Sequence, residues 1–238
     1  MDCKNCNKEI DSKFCPDCGQ PTNLKRIDGH YIIHEIEHVL HFERGILYTI
    51  RELIVNPGQN IRKYLSENRS RLVKPIIFII VTSLIYSIVT NFFHIEEKYV
   101  KFDGGRNTTV FKIFKWVEEH YGYANIIMGV FITIWLKILF RKFQYNFFEI
   151  LILLCFVMGM AMLIFSIFSI LEGIFHLKLF NIGGIMGVLY CSWAIGNFFG
   201  KDKIISYVKA FFAYVFGMIT FSLSAILLGI LIDIIIKY

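Results

Sequence analysis

Five apolar runs decide most of what this chain can become. Residues 75–93, 150–171, 180–200 and 210–232 contain no Asp, Glu, Lys or Arg, and residues 124–140 contain only Lys137. A helix needs about 20 apolar residues to cross the roughly 30 Å of hydrocarbon in a bilayer. The runs therefore predict an all-α integral membrane protein with about five transmembrane helices, at 74–93, 123–140, 148–171, 180–200 and 208–235. The second run is the shortest. It spans if Lys137 snorkels to the interface beside Arg141 and Lys142.

The rest of the composition agrees. Apolar residues make up 55% of the chain and charged residues 18%, against about 25% charge in a typical soluble domain. Residues 1–74 hold 22 of the 44 charges. The net charge of +6 thus reflects basic residues flanking apolar spans, where they set topology and meet lipid headgroups, and no nucleic-acid partner is expected. Twelve Lys and Arg precede the first span, and two further basic groups fall in the 141–147 and 201–209 segments. By the positive-inside rule this predicts a multi-pass protein of the inner (cytoplasmic) membrane, with its N-terminus in the cytosol and its C-terminus outside.

The first 20 residues are polar and cysteine-rich, with no apolar signal-peptide core. In the cytosol, paired cysteines more often hold metal than form disulfides. Cys3-Lys4-Asn5-Cys6 and Cys15-Pro16-Asp17-Cys18-Gly19 are two CxxC knuckles eight residues apart. Such spacing aims four thiolates at one tetrahedral Zn2+. Residues 1–21 are therefore expected to form a zinc ribbon held by Cys3, Cys6, Cys15 and Cys18, with one structural ion and no open coordination position for catalysis. Cys155 and Cys191 lie inside apolar runs and read as buried core residues.

Residues 22–73 form the second expected region. His30, His34, His38 and His41 are spaced by four, four and three, so on a helix they share a face. That face could hold a second metal or sense pH. Within it, His34-Glu35-Ile36-Glu37-His38 matches H-E-x-x-H, the spacing that presents two imidazoles and a general base to zinc in metalloproteases. A third ligand is then needed, and Glu52 and Glu67 sit in no recognised third-ligand motif. The plainer alternative is a polar helix at the membrane surface. Two amphipathic helices are expected next. One covers 44–55, with Ile46, Leu47, Ile50, Leu53 and Ile54 on one stripe. The other covers about 60–72 and opposes Ile61, Tyr64, Leu65 and Leu72 to Arg62, Lys63, Arg69 and Arg71, as suits the bilayer interface. Asn56-Pro57-Gly58 separates them.

The third region, 74–238, is the transmembrane body. Its few polar residues (Glu149, Glu172, Asn181, Asn197 and Asp233) fall near span ends rather than at the midplane where transporters place ionisable groups. Gly183 and Gly187 form a GxxxG pair, expected to pack helices closely within the chain or in a homo-oligomer.

Several pieces recur in order in a family this chain resembles. They are Cys15-Pro16-Asp17-Cys18-Gly19-Gln20, His41-Phe42-Glu43-Arg44-Gly45-Ile46-Leu47-Tyr48-Thr49, Asn56-Pro57-Gly58 with Ile61-Arg62-Lys63-Tyr64-Leu65, and Arg71 before Lys74-Pro75. The chain is similar over about residues 1–95 to an uncharacterised bacterial family, a domain of unknown function that joins a cysteine ribbon to a multi-span body. Ser66-Glu67-Asn68-Arg69 departs from it, since the resemblance implies a shorter, glycine-containing link there. The resemblance implies architecture and a bacterial source, and no activity. Together these features lead to the expectation of a non-enzymatic adaptor or scaffold that recruits a protein partner through the ribbon. The alternatives are a small transporter or lipid-handling protein and, less favoured, a membrane metalloprotease.

Overall fold

The computed structural model describes residues 45–69, 71–95, 108–201 and 203–237, together with Cys6, Glu9, Cys15 and Pro16. The chain divides into two compact units, Met1–Glu43 and Arg44–Tyr238. In the second unit the described residues form eight helices. These are α1 (Ile46–Val55), α2 (Pro57–Ser66), α3 (Pro75–Phe92), α4 (Thr109–Glu119), α5 (Tyr121–Leu139), α6 (Phe147–Phe175), α7 (Phe180–Gly200) and α8 (Ile204–Lys237). Five of them, α3 and α5 to α8, are long and apolar enough to cross a membrane. They fall on the five expected runs.

Helix α6 is central. Residues 153–162 are buried without interruption, and its neighbours are α3, α5 and α7. A helix that is apolar all round belongs inside a bundle. The composition of this stretch lets other helices close in: Gly159 leaves room for the Phe78 ring and Thr82 of α3, and a Cβ there would sit 2.7 Å from Phe78. Phe78 in turn meets Phe156, their ring centroids 5.8 Å apart. The start of α6 is fixed by a capping box, with Asn146 Oδ1 accepting from Glu149 N–H (2.9 Å) and Glu149 Oε2 from Asn146 N–H (2.7 Å). This arrangement satisfies two of the unpaired amides that every helix start leaves.

Polar groups inside the spans are mostly satisfied locally. Thr82, Thr90, Thr133, Ser166 and Ser192 each donate to a carbonyl one turn earlier on their own helix. Such bonds remove the desolvation cost of a hydroxyl without requiring a partner helix. Cys155 and Cys191 are both buried, as their sequence setting implied.

Helix α8 has 34 residues, about 51 Å at 1.5 Å per residue. No single partner covers it. Its first half lies against α5, where Gly217 admits Ile132, and its second half against α4, where Gly229 admits Val110. Near its end Asp233 accepts hydrogen bonds from the Thr109 backbone N–H and from the Thr109 hydroxyl at the start of α4. A carboxylate at a helix N-terminus meets unpaired amides and the positive end of the helix dipole. The 110–117 segment is thus part of a helix that buries Val110, Phe114 and Val117, the first two packing with Ala225 of α8. Asp233→Asn is expected to weaken this end by about 1 kcal/mol. The change would be read as a drop of a few degrees in thermal midpoint, with faster proteolysis between 108 and 119.

Candidate functional site

The two helices before the first span build the most elaborate polar structure among the described residues. Gly45 starts α1 with φ +59°, a conformation that favours glycine. Thr49 is fully buried, and its Oγ1 accepts from Val73 N–H at 3.1 Å, tying α1 to the entry of α3. Helix α2 begins at Pro57, earlier than the expected residue 60. Proline is pre-set for the first helical position, so Asn56 alone makes the junction. It ends at Ser66, before the expected 72, which frees the following segment to turn back.

Arg71 makes that turn. Its Nη2 donates to Glu52 Oε2 at 2.8 Å and to Asn60 Oδ1 at 3.3 Å, while Asn60 Nδ2 donates to the Glu52 carbonyl at 2.9 Å. The hydrogen bond to Glu52 holds the Arg71 guanidinium above its ordinary pKa. Glu52, weighed above as a third ligand for the histidine face, is therefore committed to an ion pair inside the second unit. Asn56 Oδ1 and Arg71 Nε have no protein partner among the described residues.

The pair of helices docks on the bundle. Leu53, Ile61 and Tyr64 are buried, Tyr64 stacking edge-on against Phe156 of α6 with centroids 5.3 Å apart. Burial pushes the Tyr64 phenol above its usual pKa, with Arg69 opposing. Tyr190 of α7 donates to the Leu53 carbonyl at 3.0 Å. Gly58 lies so close to Asn197 of α7 that a Cβ would overlap that residue's carbonyl and side-chain amide. One turn on, Arg62 Nη1 donates to the carbonyls of Asn197 (2.8 Å) and Phe198. Those carbonyls belong to the last turn of α7, which has no intrahelical donors for them, and a cation also suits the negative end of the helix dipole. Leu53, Ile61 and Tyr64 face protein, while Leu47, Ile54 and Val55 remain exposed.

In the first unit, Cys6 and Cys15 come from different knuckles, and their Sγ atoms lie 3.5 Å apart. That is far beyond the ~2.05 Å of a disulfide. It is close to the roughly 3.8 Å between two thiolates bound tetrahedrally to one zinc at about 2.3 Å. Among the described residues, no group of three or more His, Cys, Asp or Glu stands together to hold a metal ion. Cys3, Cys18, His30, His34, His38 and His41 lie outside the described residues.

Of the polar residues singled out near the span ends, the three acids have partners. Glu149 is in the capping box, Asp233 starts α4, and Glu172 Oε2 accepts from Leu179 N–H (2.9 Å) to close the turn between α6 and α7. Gly183 and Gly187 face α6 within the chain, against Phe168 and Phe165. Sequence reasoning missed the Arg71–Glu52 pair and the Arg62 cap, because both join positions far apart in the chain. Their only sequence signal is the recurrence of the short pieces that contain Asn56-Pro57-Gly58, Arg62 and Arg71.

Five membrane-length helices, four of them around a buried α6, make this a multi-pass membrane protein. A family model described as a protein of unknown function (DUF3667) matches residues 43–87, the segment that holds α1, α2, the Arg71 turn and most of α3. No curated protein and no solved structure matches the chain.

Proposed function

We propose that the protein is a membrane-held adaptor. Its N-terminal cysteine module, folded around one zinc ion on the cytosolic side of the inner membrane, recruits a protein partner. The observation that carries this reading is the 3.5 Å approach of Cys6 and Cys15 from separate knuckles. Cys3 and Cys18 would complete a four-thiolate site. Such a site is closed to substrate, so the ion's role is to fold the module. A module of this size buries too little core to fold without it. The alternative of a coupled transporter gains little support from the interior, where the described buried polar groups are hydroxyls and amides rather than acids or bases.

Metal analysis of detergent-purified protein tests the proposal. One zinc per chain is expected, lost when Cys3, Cys6, Cys15 and Cys18 are changed to Ser. Cys15→Ser alone should release a co-purifying protein while leaving the membrane body folded. Retention of every co-purifying protein by that variant would refute the adaptor role. A second metal surviving in the four-Ser protein would bring the histidine face forward instead.

A further inference from the structure

Two adjacent glycines of α7 behave differently. At Gly183 a Cβ would come within 2.8 Å of Phe168, so glycine is needed there for α6 and α7 to close. At Gly184 a Cβ would meet only Phe165, at 3.9 Å, which is ordinary contact. No described residue requires Gly184 to be small. What its missing side chain leaves is space. A crevice of about 470 Å3 runs between α7 and α8, floored by Phe165 of α6 and walled by Val188, Tyr214 and Met218.

We propose that this crevice binds one acyl chain of a phospholipid from the leaflet adjoining the α6–α7 turn. Three features favour that occupant. First, the crevice opens towards the bilayer: Ile185, Leu189 and Phe211 on its rims are exposed within membrane-length helices. Second, it runs from Asn181 to Leu189, about 12 Å at 1.5 Å per residue. That is close to the depth of one leaflet, half of the roughly 30 Å hydrocarbon layer. At about 30 Å3 for a water-sized group, the volume holds on the order of fifteen such groups, the scale of one fatty-acid tail. Third, its polar end is the end nearest the surface. Asn181 lines the mouth. Its side-chain amide can donate to an ester or phosphate oxygen. The site is independent of the cysteine module, and its failure would leave the adaptor reading untouched.

The test uses the full chain in phosphatidylcholine vesicles. These carry, as a minor component, phosphatidylglycerol with a photoreactive diazirine near the end of one acyl chain. Adducts are mapped by peptide mass spectrometry. Peptides covering 184–189 and 211–218 should label several-fold more than the exposed stretch 227–236, which reports bulk lipid. Gly184→Leu, which fills the crevice from α7, should reduce that excess to the bulk level, and Val215→Phe should do the same from α8. Thermal unfolding of each variant identifies any that fails to fold, and the other then decides. Uniform labelling in the wild type, or an excess unchanged in both folded variants, overturns the proposal. So does efficient disulfide dimerisation of Ile185→Cys together with loss of labelling, which would make a second copy the occupant.

Discussion

Tyr64→Ala is expected to cost about 3–5 kcal/mol, the usual range for deleting a buried aromatic side chain. Tyr64 sits on α2 with 6% exposure and projects into the bundle against Phe156. Its removal takes away the edge-to-face ring contact, worth about 0.5–1.5 kcal/mol beyond burial, and leaves a void that the packed middle of α6 cannot fill. Tyr64→Phe keeps the ring and should cost under about 1 kcal/mol. Thermal unfolding in one detergent, comparing the two variants, isolates the ring from the hydroxyl. Equal losses in both would mean that the hydroxyl, and not the packing, carries the contact.

Gly58→Ala is the second large effect. One methyl group would fall on the backbone carbonyl and side-chain amide of Asn197. Neither can retreat, because Asn197 is buried in the last turns of α7. Helix α2 must lift instead, which separates Arg62 from the carbonyls of Asn197 and Phe198. Overpacking costs roughly 1–3 kcal/mol, and a lost hydrogen bond to a charged group about 1.5–3 kcal/mol. Lifting would also expose the bonds after Arg62 and Lys63 to trypsin. The expected result is faster cleavage at those two sites, with the spans still protected. Wild-type cleavage rates in the variant would show that the contact yields without undocking and would refute the argument.

The spans were legible because a bilayer leaves a chain few options. A run such as 150–171 without a single charge has one stable form, and the structure extends it to Phe147–Phe175 without changing its nature. The break at Asn56-Pro57-Gly58 was legible too, since proline and glycine act locally. Less legible was what each amphipathic stripe faces. Leu53 and Ile54 are neighbours on one predicted apolar face, yet one is fully buried and the other 57% exposed. Periodicity reports that a side is apolar and does not distinguish lipid from protein. The same limit applies to Gly183 and Gly184, which look alike in sequence and differ only in what stands opposite. Charged pairs such as Arg71–Glu52 depend on a chain reversal after Ser66 that no local signal announces. The cysteine pattern speaks of chemistry in the sequence, and of its four positions the described residues include only Cys6 and Cys15.

Helix α8 carries a consequence for the membrane itself. Its charge-free run, 210–232, has 23 residues, about 35 Å of helix, and a tilt of about 20° brings that to about 32 Å along the membrane normal, close to the roughly 30 Å layer. The helix itself continues past both ends of this run. Lys209 and Asp233 mark the two exits. Each is tied to a neighbouring helix: Lys209 donates to the Leu139 carbonyl at 3.4 Å, and Asp233 accepts from Thr109 N–H. The two charges therefore act as depth stops, fixing how far the whole bundle can slide through the bilayer.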